Sequence, residues 1–263
     1  MQTSERKWCR NMSDRKKLKV CWISAGVSSF IAGYLAGDVD EFIYIDVSDQ
    51  HEDSLRFIKD CEKALGKKIT VIRSEEYHSV DEAIRAAGII KNPYNQFAPC
   101  TVFLKKRVRR LWEQQHAEYD ITYVWVFDFN EKDRAERMKE NEPEFEHEFP
   151  LIEKELSKQD VHGMADKLGI KRPVLYDMGY NNNNCIGCVK GGMGYWNQIR
   201  KDFPDIFESR AKMERAIGAA ILKDSTTGEP VYLDELEPNR GRMQEEIMPD
   251  CSIMCYLAGV NYD

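Results

Sequence analysis

Three apolar, β-prone runs separated by two helical stretches constrain this chain more than any other feature. Residues 18–26, "LKVCWISAG", read as a buried strand feeding a tight loop of small residues. The next stretch, "VSSFIAGYLAG", has helical spacing and stops at Gly37. A second buried strand follows in "DEFIYIDV", then an amphipathic helix in "DSLRFIKDCEKALGKK" and a third strand in "ITVIRS". Strands that alternate with helices imply a parallel, doubly wound α/β sheet.

The pattern continues with a helix around residues 80–87 and a long helix from about Cys100 through "CTVFLKKRVRRLWEQQHA". Residues 121–129, "ITYVWVFDF", predict a fourth strand. The texture then changes. "EKDRAERMKENEPEFEHEFP" is highly charged and broken by Pro143 and Pro150, and "LIEKELSKQDVHGMADKLGI" predicts two short helices. Two more helices are expected at about 195–202 and 204–217. The organisation expected is a loose polar leader (1–17), a nucleotide-type α/β core (18–150) and a C-terminal, cysteine-rich helical portion packed on it (151–263).

The net charge of −7 argues against a nucleic-acid binder held by bulk charge. The local exception is "LKKRVRR", residues 104–110, which on a helix would form a dense cationic face. That face is either merely solvated or an anion site for nucleotide phosphates or a polynucleotide backbone. No apolar run approaches the roughly 20 residues that span a bilayer, and the N-terminal residues lack the apolar core of a signal peptide. A cytoplasmic location is therefore expected. Disulfides are rare there, so the eight cysteines are read as thiols, metal ligands or catalytic groups.

"SAGVSS", Ser24 to Ser29, sits between a strand and a helix. There, backbone N–H groups and a helix N-terminus suit an anion. It is neither a Walker loop nor a G-x-G-x-x-G turn. Asp46 ends the second strand, where doubly wound folds present ligand-binding groups, and its alternative is a capping or turn role. The strongest local chemical signal is Cys185-x-x-Cys188 within "NNNNCIGCVKGGMGYW". A C-x-x-C lets two thiolates reach one metal or cluster, and the surrounding Asn and Gly tolerate unusual dihedrals. Cys100 opens a helix whose positive end favours a thiolate. Cys251 and Cys255 lie at i, i+4 in "CSIMC". Structural zinc, a redox dithiol, an iron–sulfur cluster and unliganded thiols all remain open on spacing alone. Cys21 reads as core, Cys61 lies on an amphipathic helix and Cys9 in the leader. Tyr195 and Trp196 read as the start of the helix that anchors the loop.

Together, "SAGVSS", "IDVSDQHEDSLRFIKDCE", "APCTVFLKKR", "NEKDRAERMKENEP" and "YNNNNCIGCVKGGMGYWNQIRKDFPDIF" resemble the PAPS-reductase-like branch of the adenine nucleotide α-hydrolase (PP-loop) superfamily. The nearest likeness is to the type found in bacteriophage and bacterial genomes. The resemblance implies an adenine nucleotide (PAPS, APS or ATP) cradled by Ser24, Ala25, Gly26, Ser28 and Ser29, with Asp46 near the ribose or adenine edge. It implies a 4Fe–4S cluster on Cys185 and Cys188, with Cys100 and one or both of Cys251 and Cys255 as the remaining ligands. It places Lys105, Arg107, Glu131, Arg134 and Lys190 where they could contact phosphates or sulfur intermediates, with Glu131 and Arg134 alternatively a structural ion pair. Cys255 would be the nucleophile if Cys251 completes the cluster.

Two departures matter. Ser28 stands where ATP-cleaving members carry an aspartate near Mg²⁺, and the tail lacks the E-C-G-x-H-type segment of sulfonucleotide reductases. Three functions follow: sulfonucleotide reduction or sulfur transfer with a thiol reductant or sulfur donor; ATP-dependent sulfur insertion into a nucleic acid or metabolite; and a non-catalytic nucleotide- or redox-sensing iron–sulfur protein. Homo-oligomers are common among such enzymes.

Overall fold

The computed structural model describes residues 15–91 and 97–242. Residues 1–14 of the expected leader, Cys9, Cys251 and Cys255 lie outside the described residues, and the last two leader positions, Lys16 and Lys17, already belong to the first strand. Strand β1 (Lys16–Ile23) leads into α1 (Val27–Ala36), followed by β2 (Glu41–Ile45), α2 (Asp53–Leu65), β3 (Ile69–Ile72) and α3 (Val80–Ala87). A helical run then passes from α4 (Pro99–Thr101) through a π-helical turn (Val102–Lys106) into α5 (Arg107–Gln115). β4 (Tyr119–Val124), α6 (Lys132–Asn141), β5 (Glu146–Glu148), α7 (Pro150–Glu153), α8 (Lys158–Lys167) and α9 (Val174–Asp177) follow. The chain continues with α10 (Met193–Asp202), α11 (Pro204–Ile217), β6 (Leu222–Lys223) and β7 (Pro230–Val231).

β1 to β5 form one parallel sheet in the order β3-β2-β1-β4-β5. The doubly wound sheet expected from the strand–helix rhythm is therefore present. Side-chain alternation splits its core into two. Val20 and Trp22 of β1 and Tyr123 of β4 share one cluster with α3, α5, α10 and α11. Cys21, Ile23 and Val124 share the other with α1, α2, α7 and α8. Cys21 and Cys61 are core residues of this second layer, and burial alone pushes the Cys21 thiol up to about 12. The connections from β1 and β4 leave in opposite directions, which makes the β1/β4 carboxyl edge the switch-point crevice of the sheet.

Three expectations need correction. The fourth strand ends at Val124 rather than residue 129; beyond it the Trp125 N–H still reaches the Glu148 carbonyl (2.9 Å), and Asp128 then caps a short turn. The charged segment contains the short strand β5 at the edge of the sheet. Nor does "LKKRVRR" present one cationic face. Arg109 turns inward, only 4% exposed, against Glu113 (2.6 Å) and Glu142 (2.7 Å), with the Tyr123 and Trp125 rings around it. Arg107 is held by Glu76 (2.6 Å) and lies over Phe103.

The C-terminal helices are not a separate layer, because Tyr195, Trp196 and Met213 belong to the same core as β1 and β4. After α11, the β6–β7 hairpin is pinned by fully buried Glu214, which accepts from the backbone N–H groups of Ile221 and Leu233 (2.6 Å to the latter). Burial pushes its carboxyl up to about 7 from an ordinary 4.5, against the pull of those two donors. A carboxyl raised in the folded state favours folding below its unfolded-state pKa, and that contribution is lost as pH rises through the folded value. Wild-type unfolding free energy should therefore fall relative to Glu214→Gln between pH 4.5 and 7. Urea melts of both proteins across that range check this; parallel curves would refute it.

Candidate nucleotide crevice and thiol pocket

The chain leaves β1 through Ser24, Ala25 and Gly26. Ala25 is fully buried and holds a left-handed backbone (φ 57°), a conformation costing a non-glycine residue of order 1–3 kcal/mol. Two clamps hold it there. The Ser29 hydroxyl accepts from the Ser24 N–H (3.1 Å) and donates to the Gly26 carbonyl (2.7 Å). The Asn183 amide donates to the Ala25 carbonyl (2.8 Å) and to the Ser54 hydroxyl (3.0 Å). Of the five loop residues expected to cradle a nucleotide, buried Ala25 and Ser29 therefore build the loop, while Ser24, Gly26 and Ser28 are half-exposed. Helix α1 begins beside them, with its positive end toward the loop.

The other expected nucleotide contacts follow β2 and β4 in the chain. Asp46, just past β2, is bound by Arg73 just past β3 (2.8 Å to Nε). Glu131 closes the capping box on the Asp128 N–H (3.1 Å) and pairs with Arg134, whose guanidinium lies over the Phe127 ring (5.0 Å).

A pocket opens off the carboxyl edge of β2. Val47, Val80, Leu104 and Val189 form its apolar walls, and Cys100, Cys185, Cys188, Thr101 and Lys105 also line it. All three cysteines are buried. The π turn explains how Lys105 arrives. The Arg107 N–H bonds to the Val102 carbonyl five residues back, and this wider winding brings Leu104 and Lys105 round to the face of Cys100 and Thr101.

The C-x-x-C loop is held from every side. The Ile186 N–H donates to the Asp49 carbonyl (2.8 Å), and Cys185 makes a β-bridge with Gln50. The Asp49 carboxylate in turn accepts from the Val80 N–H (2.7 Å) and pairs with Arg210 of α11, which is itself 4% exposed. Gly187, at φ +70°, has the left-handed backbone this turn requires, and a Cβ there would lie 2.6 Å from Ile206. A Cβ on Gly191 would fall within the Tyr195 ring, 1.9 Å from Cδ1. The Tyr195 hydroxyl accepts from the Cys188 N–H (2.9 Å) and donates to the Cys185 carbonyl (3.4 Å). Tyr195 and Trp196 are thus packed anchors of the loop, as their sequence context implied.

Asp49, Arg210, Asn183 and Lys91 were not singled out by the sequence. The only signal for Asp49 and Asn183 was membership of "DVSDQ" and "NNNN"; Arg210 and Lys91 carried none. Lys91 lies near Cys188: burial lowers its ammonium pKa, the Cys188 sulfur opposes this, and Lys190 and Lys223 add to it.

The expected site residues thus fall into two adjoining groups. Ser24, Gly26 and Ser28 stay half-exposed on the loop after β1, and Cys100, Lys105, Cys185 and Cys188 line the pocket, with Lys190 following directly on Val189. Arg107 is not among the pocket-lining residues.

A doubly wound α/β fold with a strand-to-helix loop at its switch point and a thiol pocket alongside defines the class. Within it, the chain belongs to the phosphoadenosine phosphosulfate reductase domain family, whose sequence model matches residues 19–191. It is 24% identical over 183 residues to "Uncharacterized protein MJ0066" of Methanocaldococcus jannaschii; the match covers 66% of this chain and 35% of that one, so the chain spans about a third of its length. It is similar to the crystal structure of phosphoadenylyl-sulfate (PAPS) reductase from Candida auris in its phosphate complex (TM-score 0.45, 10% identity, covering 64% of this chain and 80% of that one). No helix among the described residues is long and apolar enough to cross a membrane.

Removing the Tyr195 hydroxyl should expose how much the loop depends on it. Tyr195→Phe leaves a buried N–H without its acceptor, an expected loss of about 1–3 kcal/mol in urea denaturation. An unchanged midpoint would show that the hydroxyl does not hold the loop.

Proposed function

We propose that this protein binds a sulfonucleotide, PAPS or APS, across the Ser24–Ser28 crevice and reduces it beside a 4Fe–4S cluster held by Cys100, Cys185 and Cys188. Cys251 would be the fourth ligand, which leaves the Cys255 thiol for chemistry. The observation that carries this reading is that Cys100, remote in sequence from the C-x-x-C, lines the same pocket as Cys185 and Cys188.

The residues fit such a group. Three buried thiols are the donor type that iron–sulfur clusters take. Among the described residues no three His, Cys, Asp or Glu side chains converge on a single-ion site. When bound, the cluster would supply electron storage and a local electrostatic field.

The chain's own residues would do the following. The positive end of α1 and the hydroxyls of Ser24 and Ser28 bind the nucleotide's phosphates. The Cys255 thiolate attacks the substrate sulfur; an S–S bond forms, the S–O bond to phosphate breaks, and the nucleotide leaves with its phosphate dianion. Lys105 and Lys190 offset the charge that develops on the departing oxygen. A thiol reductant then attacks the Cys255 sulfur of the enzyme thiosulfonate, releasing sulfite and leaving a disulfide. Ser28 lacks the carboxylate that Mg²⁺–pyrophosphate chemistry uses. Burial of Arg109 and pairing of Arg107 break up the cationic face a polynucleotide would meet. Both favour reduction over ATP-dependent sulfur insertion.

Anaerobically purified protein incubated with PAPS or APS and a dithiol should release sulfite, and without reductant should accumulate a protein-bound thiosulfonate. Cys255→Ser should abolish both while retaining iron. Absence of sulfite and thiosulfonate with either nucleotide would overturn the reading.

A further inference from the structure

One polar group in the thiol pocket is left unexplained by that reaction. Thr101 is 2% exposed, it lines the pocket, and its hydroxyl has no hydrogen-bond partner among the described residues. A helical threonine ordinarily bonds its hydroxyl to a carbonyl one turn earlier. Here the Thr101 N–H takes the Ala98 carbonyl (3.0 Å) and the hydroxyl takes none. A buried hydroxyl without a partner is costly, and valine would fill the same volume among Val47, Val80, Leu104 and Val189 without that cost. The hydroxyl is therefore placed to bond with an occupant of the pocket. The neighbouring pocket groups, the thiols of Cys100, Cys185 and Cys188, are soft donors of the kind that hold an iron–sulfur group, whose sulfide is an acceptor for a hydroxyl.

We propose that the Thr101 hydroxyl donates a hydrogen bond to an anionic sulfur of the group held by Cys100, Cys185 and Cys188, making Thr101 a positioning residue that sets the reduction potential of that group. The inference rests on the cluster reading above. A hydrogen bond to cluster sulfur stabilises the reduced, more negative form and so raises the potential.

The test uses the full chain reconstituted anaerobically with ferrous iron and sulfide, its midpoint potential followed by a redox titration of visible absorbance. Thr101→Val and Thr101→Ala should both take up iron and titrate at a more negative potential than wild type, and Thr101→Ser should titrate with wild type. The affinity for PAPS, from anaerobic equilibrium dialysis, should be unchanged in all of them. Equal potentials across the four proteins would overturn the inference alone. So would a several-fold loss of PAPS affinity in Thr101→Val without a shift in potential, which would assign the hydroxyl to the substrate's sulfonate. A wild-type protein that takes up no iron would remove the cluster reading, and this inference with it.

Discussion

The geometry of the site depends on the buried pair between Asp49 and Arg210. Asp49 belongs to the loop that follows β2 and Arg210 to α11, so the pair ties the sheet edge to the C-terminal helices. The same aspartate fixes the start of α3 through the Val80 N–H and the C-x-x-C loop through its backbone carbonyl. Arg210 also reaches toward the Gly187 carbonyl (3.4 Å). Breaking a buried pair by removing one partner leaves an uncompensated charge, typically at 3–5 kcal/mol. Here it would also release two walls of the thiol pocket together, those carried by Val80 and by the Cys185–Val189 segment.

Crevice and pocket are mechanically one unit because a single segment touches both. Asn183 clamps the strained Ala25 turn, while Cys185, two residues on, bridges to Gln50 beside the pocket. Lys158 of α8 holds the start of the same segment through the Asn181 carbonyl and the Asn182 side chain. The asparagines thus act as directed hydrogen-bonding groups, beyond any tolerance of unusual dihedrals. A nucleotide at the β1/β4 crevice and a sulfur-bearing group in the pocket would be held at a separation fixed by these few contacts.

Much of the fold was legible because β1, β2 and β3 are apolar and β-branched, and because Gly37 marks a helix end; Gly66, which ends α2, was read as part of that helix. β5 was not legible: its sequence is Glu-His-Glu, and its strand character comes from pairing with β4 rather than from its own propensity. The π turn was equally hidden, since Val102–Lys106 reads as ordinary helix, and its winding is seen only in the backbone bonding. The pairing of Cys100 with the C-x-x-C came from family resemblance, and spacing alone left zinc, cluster and dithiol open. Asp49 and Arg210 went unread because a buried ion pair between distant segments leaves no periodic trace.

On the proposed reading, Cys100, Cys185 and Cys188 would hold one iron–sulfur group beside a nucleotide site. Metal content of the anaerobically purified protein, with its visible spectrum, tests this most directly. Such a group gives a brown protein with about four irons per chain, little zinc, and loss of iron and colour on Cys100→Ser as well as on Cys188→Ser. A colourless protein carrying one zinc, or one whose iron survives Cys100→Ser, would contradict it.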